Sequence, residues 1–165
     1  MDTQSTQAPQ TAQVIGWFTT LSRGVKVVLI AAAVGLLSSI LNWYSASASY
    51  GGISYGGSIN GWHGWGYVAI LGFAVGAALT MLVVRGGSVR NLAPSLPSVV
   101  TDARLVAGAG AVSALAVIIF MLTEGSSVSA PGFSEGPSFG AYLGLLCGIA
   151  LTIGGYLLDQ ERKYI

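Results

Sequence analysis

Four apolar stretches, each long enough to cross a bilayer as a helix, constrain this chain more than any other feature. They run over about 27–44, 66–84, 105–123 and 140–158. A hydrocarbon core about 30 Å thick requires about 20 apolar residues in helical form. Only 8% of the residues are charged, against about 25% in ordinary soluble domains. The sequence therefore predicts an all-α integral membrane protein, folded as a four-transmembrane-helix bundle.

The basic residues lie on one side of these stretches. They precede the first stretch, separate the second from the third, or follow the fourth: Arg23, Lys26, Arg85, Arg90, Arg104, Arg162 and Lys163. Lysine and arginine are enriched in cytoplasmic segments, so the pattern predicts a multi-pass cell-membrane protein with cytoplasmic N- and C-termini. One rival interpretation is a cleaved signal peptide, because Ala46-Ser47-Ala48 has the small-residue form of a cleavage site.

The chain divides into a short tail and one membrane domain. Residues 1–12 are polar and rich in Gln and Thr, and they have too little apolar surface to offset the cost of ordering. We expect a disordered cytoplasmic tail over 1–12 and a single four-helix transmembrane domain over 13–165.

The loop between the first two stretches is uncharged and rich in glycine and aromatic residues. Tyr50-Gly51-Gly52 is repeated as Tyr55-Gly56-Gly57, and paired glycines permit turns with positive φ. The spacing predicts a small β-hairpin on the outer side of the membrane. Aromatic side chains suit binding surfaces because they offer rigid area with a polar tip. The candidate outer-face binding surface is Trp43, Tyr44, Tyr50, Tyr55, Trp62, His63 and Trp65; an aromatic belt at the lipid interface is the alternative.

Glycines recur at helical spacing inside the stretches. Small residues let helix backbones approach closely, which is how helices associate in lipid. The candidate helix-packing positions are Gly72, Gly76, Gly108, Gly144 and Gly148. The same positions would also suit docking of a partner subunit.

The sequence carries no recognisable catalytic, nucleotide-binding or metal-binding motif. The centres of the apolar stretches contain no ionisable side chain apart from the thiol of Cys147, and Cys147 is the single cysteine. Buried ionisable groups are what proton-coupled transport requires. We therefore expect no catalytic residue, no metal, no cofactor and no nucleic-acid partner.

Two short motifs carry a family resemblance. Asn42-Trp43-Tyr44-Ser45 ends the first stretch, and Asn60-Gly61-Trp62 precedes the second. This order resembles a loose group of small uncharacterised actinobacterial four-span membrane proteins. The resemblance covers mainly the first half of the chain. It implies an integral membrane protein of a bacterial envelope and transfers no active site.

These features predict a non-enzymatic accessory or scaffold subunit of a bacterial cell-envelope complex. Its expected partners are the lipid bilayer and either a protein partner or further copies of itself. A small transporter or lipid-binding protein is one alternative, and transport predicts a polar cavity near Ser38, Asn42 and Thr80. An enzyme acting on lipid at the outer interface is another, and it predicts that Glu124, Glu135 and His63 cluster in one outer cleft.

Overall fold

The computed structural model describes residues 18–95, 97, 99–124 and 132–163, with the side chains of 162 and 163 excepted. The predicted tail over 1–12 lies outside these residues. The helices are α1 (Arg23–Ser38), α2 (Gly66–Val84), α3 (Val89–Leu92), α4 (Asp102–Thr123) and α5 (Phe139–Lys163). The strands are β1 (Asn42–Tyr50), β2 (Ile53–Asn60) and β3 (Phe133–Pro137).

Four helices form a bundle in which each long helix packs on two neighbours. Helix α5 packs against α1 and α4, and α2 packs against the same two helices from the other side. The Gly24 amide donates to Glu161 Oε1 over 3.1 Å, so the start of α1 lies beside the end of α5. The basic residues therefore gather at one end of the bundle, and the three strands extend from the other.

The prediction of an all-α four-span bundle is wrong, because the first apolar stretch does not remain helical. Helix α1 has 16 residues, about 24 Å of helix, and the chain then enters β1. Among the described residues, three helices are long and apolar enough to cross a membrane: Gly66–Val84, Asp102–Thr123 and Phe139–Glu161. The fold combines these apolar helices with a three-stranded antiparallel sheet, and the helices suggest membrane insertion.

Helix α1 ends where side chains donate hydrogen bonds to its last carbonyl groups. The Ser38 hydroxyl donates to the Gly35 carbonyl over 2.7 Å, and the Ser39 hydroxyl donates to the Leu36 carbonyl over 2.6 Å. The Trp43 indole N–H donates to the Ser38 carbonyl over 2.7 Å. Terminal carbonyls of a helix need such partners, so the helix stops here without leaving these groups unpaired.

The sheet has the order β2-β1-β3, and both pairings are antiparallel. The β1–β2 hairpin closes through Gly51 and Gly52, with φ of 59° and 85°, as a tight two-residue turn requires. The hairpin expected in the outer loop is therefore present, but it begins at Asn42 and gains β3 as a third strand.

The glycines differ in how closely the neighbouring helices approach them. A Cβ atom at Gly148 would lie 2.8 Å from the Ala114 amide nitrogen, and one at Gly76 would lie 2.9 Å from Leu151 Cδ2. A Cβ at Gly72 would meet the Ser113 hydroxyl, and one at Gly144 would lie 3.0 Å from the Trp43 ring. Gly108 departs from the predicted role, since nothing lies within 4 Å of the corresponding position.

Candidate binding surface

Trp43 is the anchor that joins the sheet to the helix bundle. Its side chain is fully buried, and its ring makes an edge-to-face contact with Phe120 at 5.3 Å between centroids. Glycines leave room for it, because Cβ atoms at Gly61 and Gly140 would lie 2.8 and 2.7 Å from the indole. Trp43 therefore offers no outer surface to a partner, contrary to the sequence-based expectation.

The sheet has two chemically different faces, because successive side chains of a strand point to opposite sides. Residues that pair across antiparallel strands share a face, so the register defines both sets. The tyrosine face consists of Tyr44, Ala46, Ala48, Tyr50, Ile53, Tyr55, Gly57, Ile59, Phe133, Glu135 and Pro137. The serine face consists of Ser45, Ser47, Ser49, Ser54, Gly56, Ser58, Ser134 and Gly136.

The tyrosine face changes from buried to exposed along the strands. At its base, Tyr44 is 7% exposed and belongs to the core. At its tip, Tyr50 is 89% exposed, Ile53 57% and Tyr55 68%. Exposed apolar surface of this kind commonly marks an interaction site.

Two carboxylates reach the base of the tyrosine face. Burial raises the pKa of the Tyr44 phenol above its ordinary value, and the negative charges of Glu135 and then Glu124 raise this pKa further. The Glu124 carboxylate also packs against Gly64, where a Cβ would lie 2.7 Å from its Oε1 atom. The structure thus brings Glu124 and Glu135 near one phenol.

His63 lies in the turn that precedes α2, together with Trp62 and Trp65. All three side chains are exposed, and Trp62 makes an edge-to-face contact with Tyr67 at 6.1 Å. His63 is followed in the chain by Gly64, which packs against the Glu124 carboxylate.

The acidic residues at the basic end of the bundle bind groups at the starts of helices. Asp102 Oδ1 accepts from the Val89 amide over 2.8 Å at the start of α3. The Thr101 hydroxyl donates to Asp159 Oδ1 over 3.4 Å at the start of α4, and Glu161 binds the start of α1. Helix N-termini attract negative charge, so these three carboxylates have structural roles.

The outer edge of β2 is open, in that no strand among the described residues pairs with it. The Ser49 amide of β1 donates to the Gly132 carbonyl over 2.8 Å, so alternate residues of β1 direct their backbone groups towards β3. The ladder alternation then directs the backbone groups of Ser54, Gly56 and Ser58 away from β1. Charged residues and prolines commonly protect an edge strand from pairing with another chain. Strand β2 contains neither.

Sequence reasoning missed the third strand and the alternation that produces the two faces. Residues 44–50 alternate Ser with Tyr or Ala, a period of two that is typical of a strand with one buried face. Phe133 and Glu135 join the tyrosine face through β3, which no local motif indicates.

A search against models of known protein families gives no match, and a search of curated proteins also gives none. The functional reading therefore depends on the geometry of the chain itself.

Proposed function

We propose that this chain is a non-enzymatic integral membrane protein of a bacterial envelope, acting as an accessory or scaffold subunit. In this proposal its sheet binds a protein partner through the open edge of β2. An extended segment of the partner would add a fourth strand, since main-chain hydrogen bonds at a sheet edge supply affinity in many complexes. The observation that carries the proposal is the uncharged, proline-free edge formed by residues 53–60.

The surface of the bundle supports placement in lipid. Its outward-facing positions are large and apolar, whereas its interior holds small residues where helices meet. This is the distribution expected when the surrounding solvent is a hydrocarbon. Exposed apolar side chains on the long helices include Ile30, Leu71, Leu115, Leu146 and Ile153.

The charge distribution supports one orientation. The basic end of the bundle also carries both ends of the described chain, and the positive-inside bias assigns that end to the cytoplasm. The sheet would then lie on the outer side, where it is available to other envelope proteins.

The buried hydroxyl groups favour a scaffold over a transporter. The Ser38 hydroxyl donates to the Gly35 carbonyl, and the Thr80 hydroxyl donates to the Gly76 carbonyl over 2.9 Å. Both side chains are fully buried. Hydroxyls bonded to their own helix in this way are not available to line a polar path.

Native mass spectrometry of the full chain, extracted in mild detergent at its natural expression level, tests the proposal. We expect a stoichiometric protein partner with the unmodified chain and its loss with Ser58→Pro, because proline removes an outward-facing amide. Ser58→Ala keeps that amide and serves as the matched control. A chain without a protein partner, or a partner retained by Ser58→Pro, would contradict binding at the β2 edge.

A further inference from the structure

The connector between α2 and α4, residues 85–101, is held against the first turn of α4. Asp102 is the first residue of α4 and is 4% exposed. Its Oδ1 atom accepts from the Val89 amide at the start of α3 over 2.8 Å. Arg104 donates from its guanidinium group to the Val99 carbonyl over 2.8 Å. Two contacts, one in each half of the connector, therefore keep it close to the start of α4.

The long helices place this connector at the level of lipid headgroups. Helix α2 has 19 residues and α4 has 22, which corresponds to about 28 and 33 Å of helix. These lengths match a hydrocarbon core about 30 Å thick, so the end of α2 and the start of α4 reach its boundary. A segment held against the first turn of α4 then lies beside the headgroup layer.

The connector adds exposed positive charge at this level. Arg85 directly follows α2, Arg90 lies in α3, and both side chains are exposed. The sequence places all seven of its lysine and arginine residues at this end of the bundle, whereas the three carboxylates described there bind groups at the starts of helices. The charge that complements this surface is therefore negative.

Exposed apolar side chains accompany these arginines. Leu92 is 75% exposed and Val99 is 65% exposed, and contact of such groups with water is unfavourable. A nucleic acid or a free phosphate ion would pair with the guanidinium groups and leave both apolar side chains in water. An anionic lipid supplies a phosphate and an apolar layer at the same level. The combination of charge and apolar surface thus favours a lipid.

We propose that Arg85 and Arg90 bind the phosphate groups of anionic phospholipids, with Leu92 and Val99 in contact with the same lipids. Asp102 and Arg104 position the connector for this contact. The proposal rests on the membrane placement in the proposed function. It does not depend on the partner at the β2 edge, because the sheet lies at the opposite end of the bundle.

Lipid competition with the full-length protein tests this assignment. The protein is placed in nanodiscs containing equal amounts of phosphatidylglycerol and phosphatidylcholine with identical acyl chains, and the lipids that it retains in mild detergent are identified by native mass spectrometry. We expect phosphatidylglycerol to be retained preferentially. The preference should weaken as the salt concentration rises, because salt screens interactions between exposed charges.

Charge variants of the two arginines locate the binding surface. Arg85→Gln and Arg90→Gln should each lower the preference for phosphatidylglycerol about fivefold, as expected for one basic residue near an anionic surface. Arg85→Lys and Arg90→Lys retain the charge, serve as matched controls and should keep most of the preference. Comparable thermal stability of the four variants shows that they are folded.

Fluorescence quenching tests the contact of the apolar residues. Leu92→Cys in a Cys147→Ala background is labelled with a fluorophore and placed in nanodiscs whose lipids carry a nitroxide on the headgroup. We expect the nitroxide to quench the fluorophore, because the connector lies beside the headgroups. A fluorophore that is not quenched would overturn the proposal.

Equal retention of the two lipids would also overturn the proposal, as would a preference that neither glutamine variant changes. Loss of a bound protein or nucleic acid in these variants, with the lipid preference unchanged, would assign the surface to that partner and overturn the assignment to lipid. Failure of the chain to enter nanodiscs would overturn both this proposal and the membrane placement. Loss of the protein partner in Ser58→Pro with intact lipid preference would contradict neither.

Discussion

Single residues determine how the sheet is attached to the bundle. Trp43 fills a space bounded by Phe120, Gly61 and Gly140, and its indole N–H binds the last part of α1. The sequence indicated an interfacial aromatic residue here, because tryptophan is enriched at membrane surfaces. Burial by two distant segments overrides that tendency, and no local pattern reveals it.

The first prediction concerns this anchor. Trp43→Ala should lower the free energy of unfolding by about 3–5 kcal/mol, as expected when a buried tryptophan leaves a cavity. Trp62→Ala, at a ring that is 45% exposed, is the matched control and should cost less than about 1 kcal/mol. Unfolding in detergent measures both. Equal losses in the two variants would contradict the anchoring role.

The second prediction concerns Tyr44 at alkaline pH. Its pKa is raised in the folded protein, so the neutral phenol stabilises the fold below the ordinary tyrosine pKa of about 10. That contribution is lost as the pH rises from this value through the raised pKa of the folded state. Tyr44→Phe should therefore unfold less readily than the unmodified protein above about pH 10.

Glu135→Gln adds a second readout for the same phenol. Removing the carboxylate charge should lower the pKa of Tyr44, measured as the phenolate absorbance that Tyr44→Phe lacks. Identical alkaline unfolding of Tyr44→Phe and the unmodified protein, or a Tyr44 pKa that Glu135→Gln leaves unchanged, would show that these groups do not interact as described.

At the scale of elements, three of the four apolar runs correspond to complete helices, and the run over 27–44 does not. The expected span over 66–84 matches α2, and α4 and α5 contain the expected 105–123 and 140–158. The run over 27–44 is predominantly apolar, but hydropathy does not detect that Ser38, Ser39 and Trp43 satisfy the carbonyls that end α1. The last part of that run belongs to a strand paired with residues far along the chain.

Glycines in α4 and α5 provide the third prediction. Gly148→Ala should destabilise the protein by about 1–3 kcal/mol, because its new methyl group would press on the backbone of Ala114. Gly108→Ala is the matched control: it faces open space and should be neutral or stabilising by up to about 1 kcal/mol, since alanine favours helix. The free energy of unfolding in detergent compares them. A greater loss for Gly108→Ala would contradict the observed packing.

The whole molecule has two unlike ends. One end carries the basic residues and three carboxylates that bind groups at the starts of helices, and the other carries a sheet with an open edge and an apolar face. The sequence predicted the charge asymmetry, because counting lysines and arginines requires no knowledge of contacts. It did not predict the faces of the sheet, since they depend on the pairing of β1 with β3.

The central claim is that this sheet lies outside the cytoplasm, while the connector between α2 and α4, which contains α3, lies inside. Labelling of intact cells with a membrane-impermeant maleimide tests it most directly, using single-cysteine proteins in a Cys147→Ala background. Tyr50→Cys at the hairpin tip should be labelled in intact cells, and Asn91→Cys in the connector only after permeabilisation. Labelling of Asn91→Cys in intact cells, or protection of Tyr50→Cys, would contradict the account.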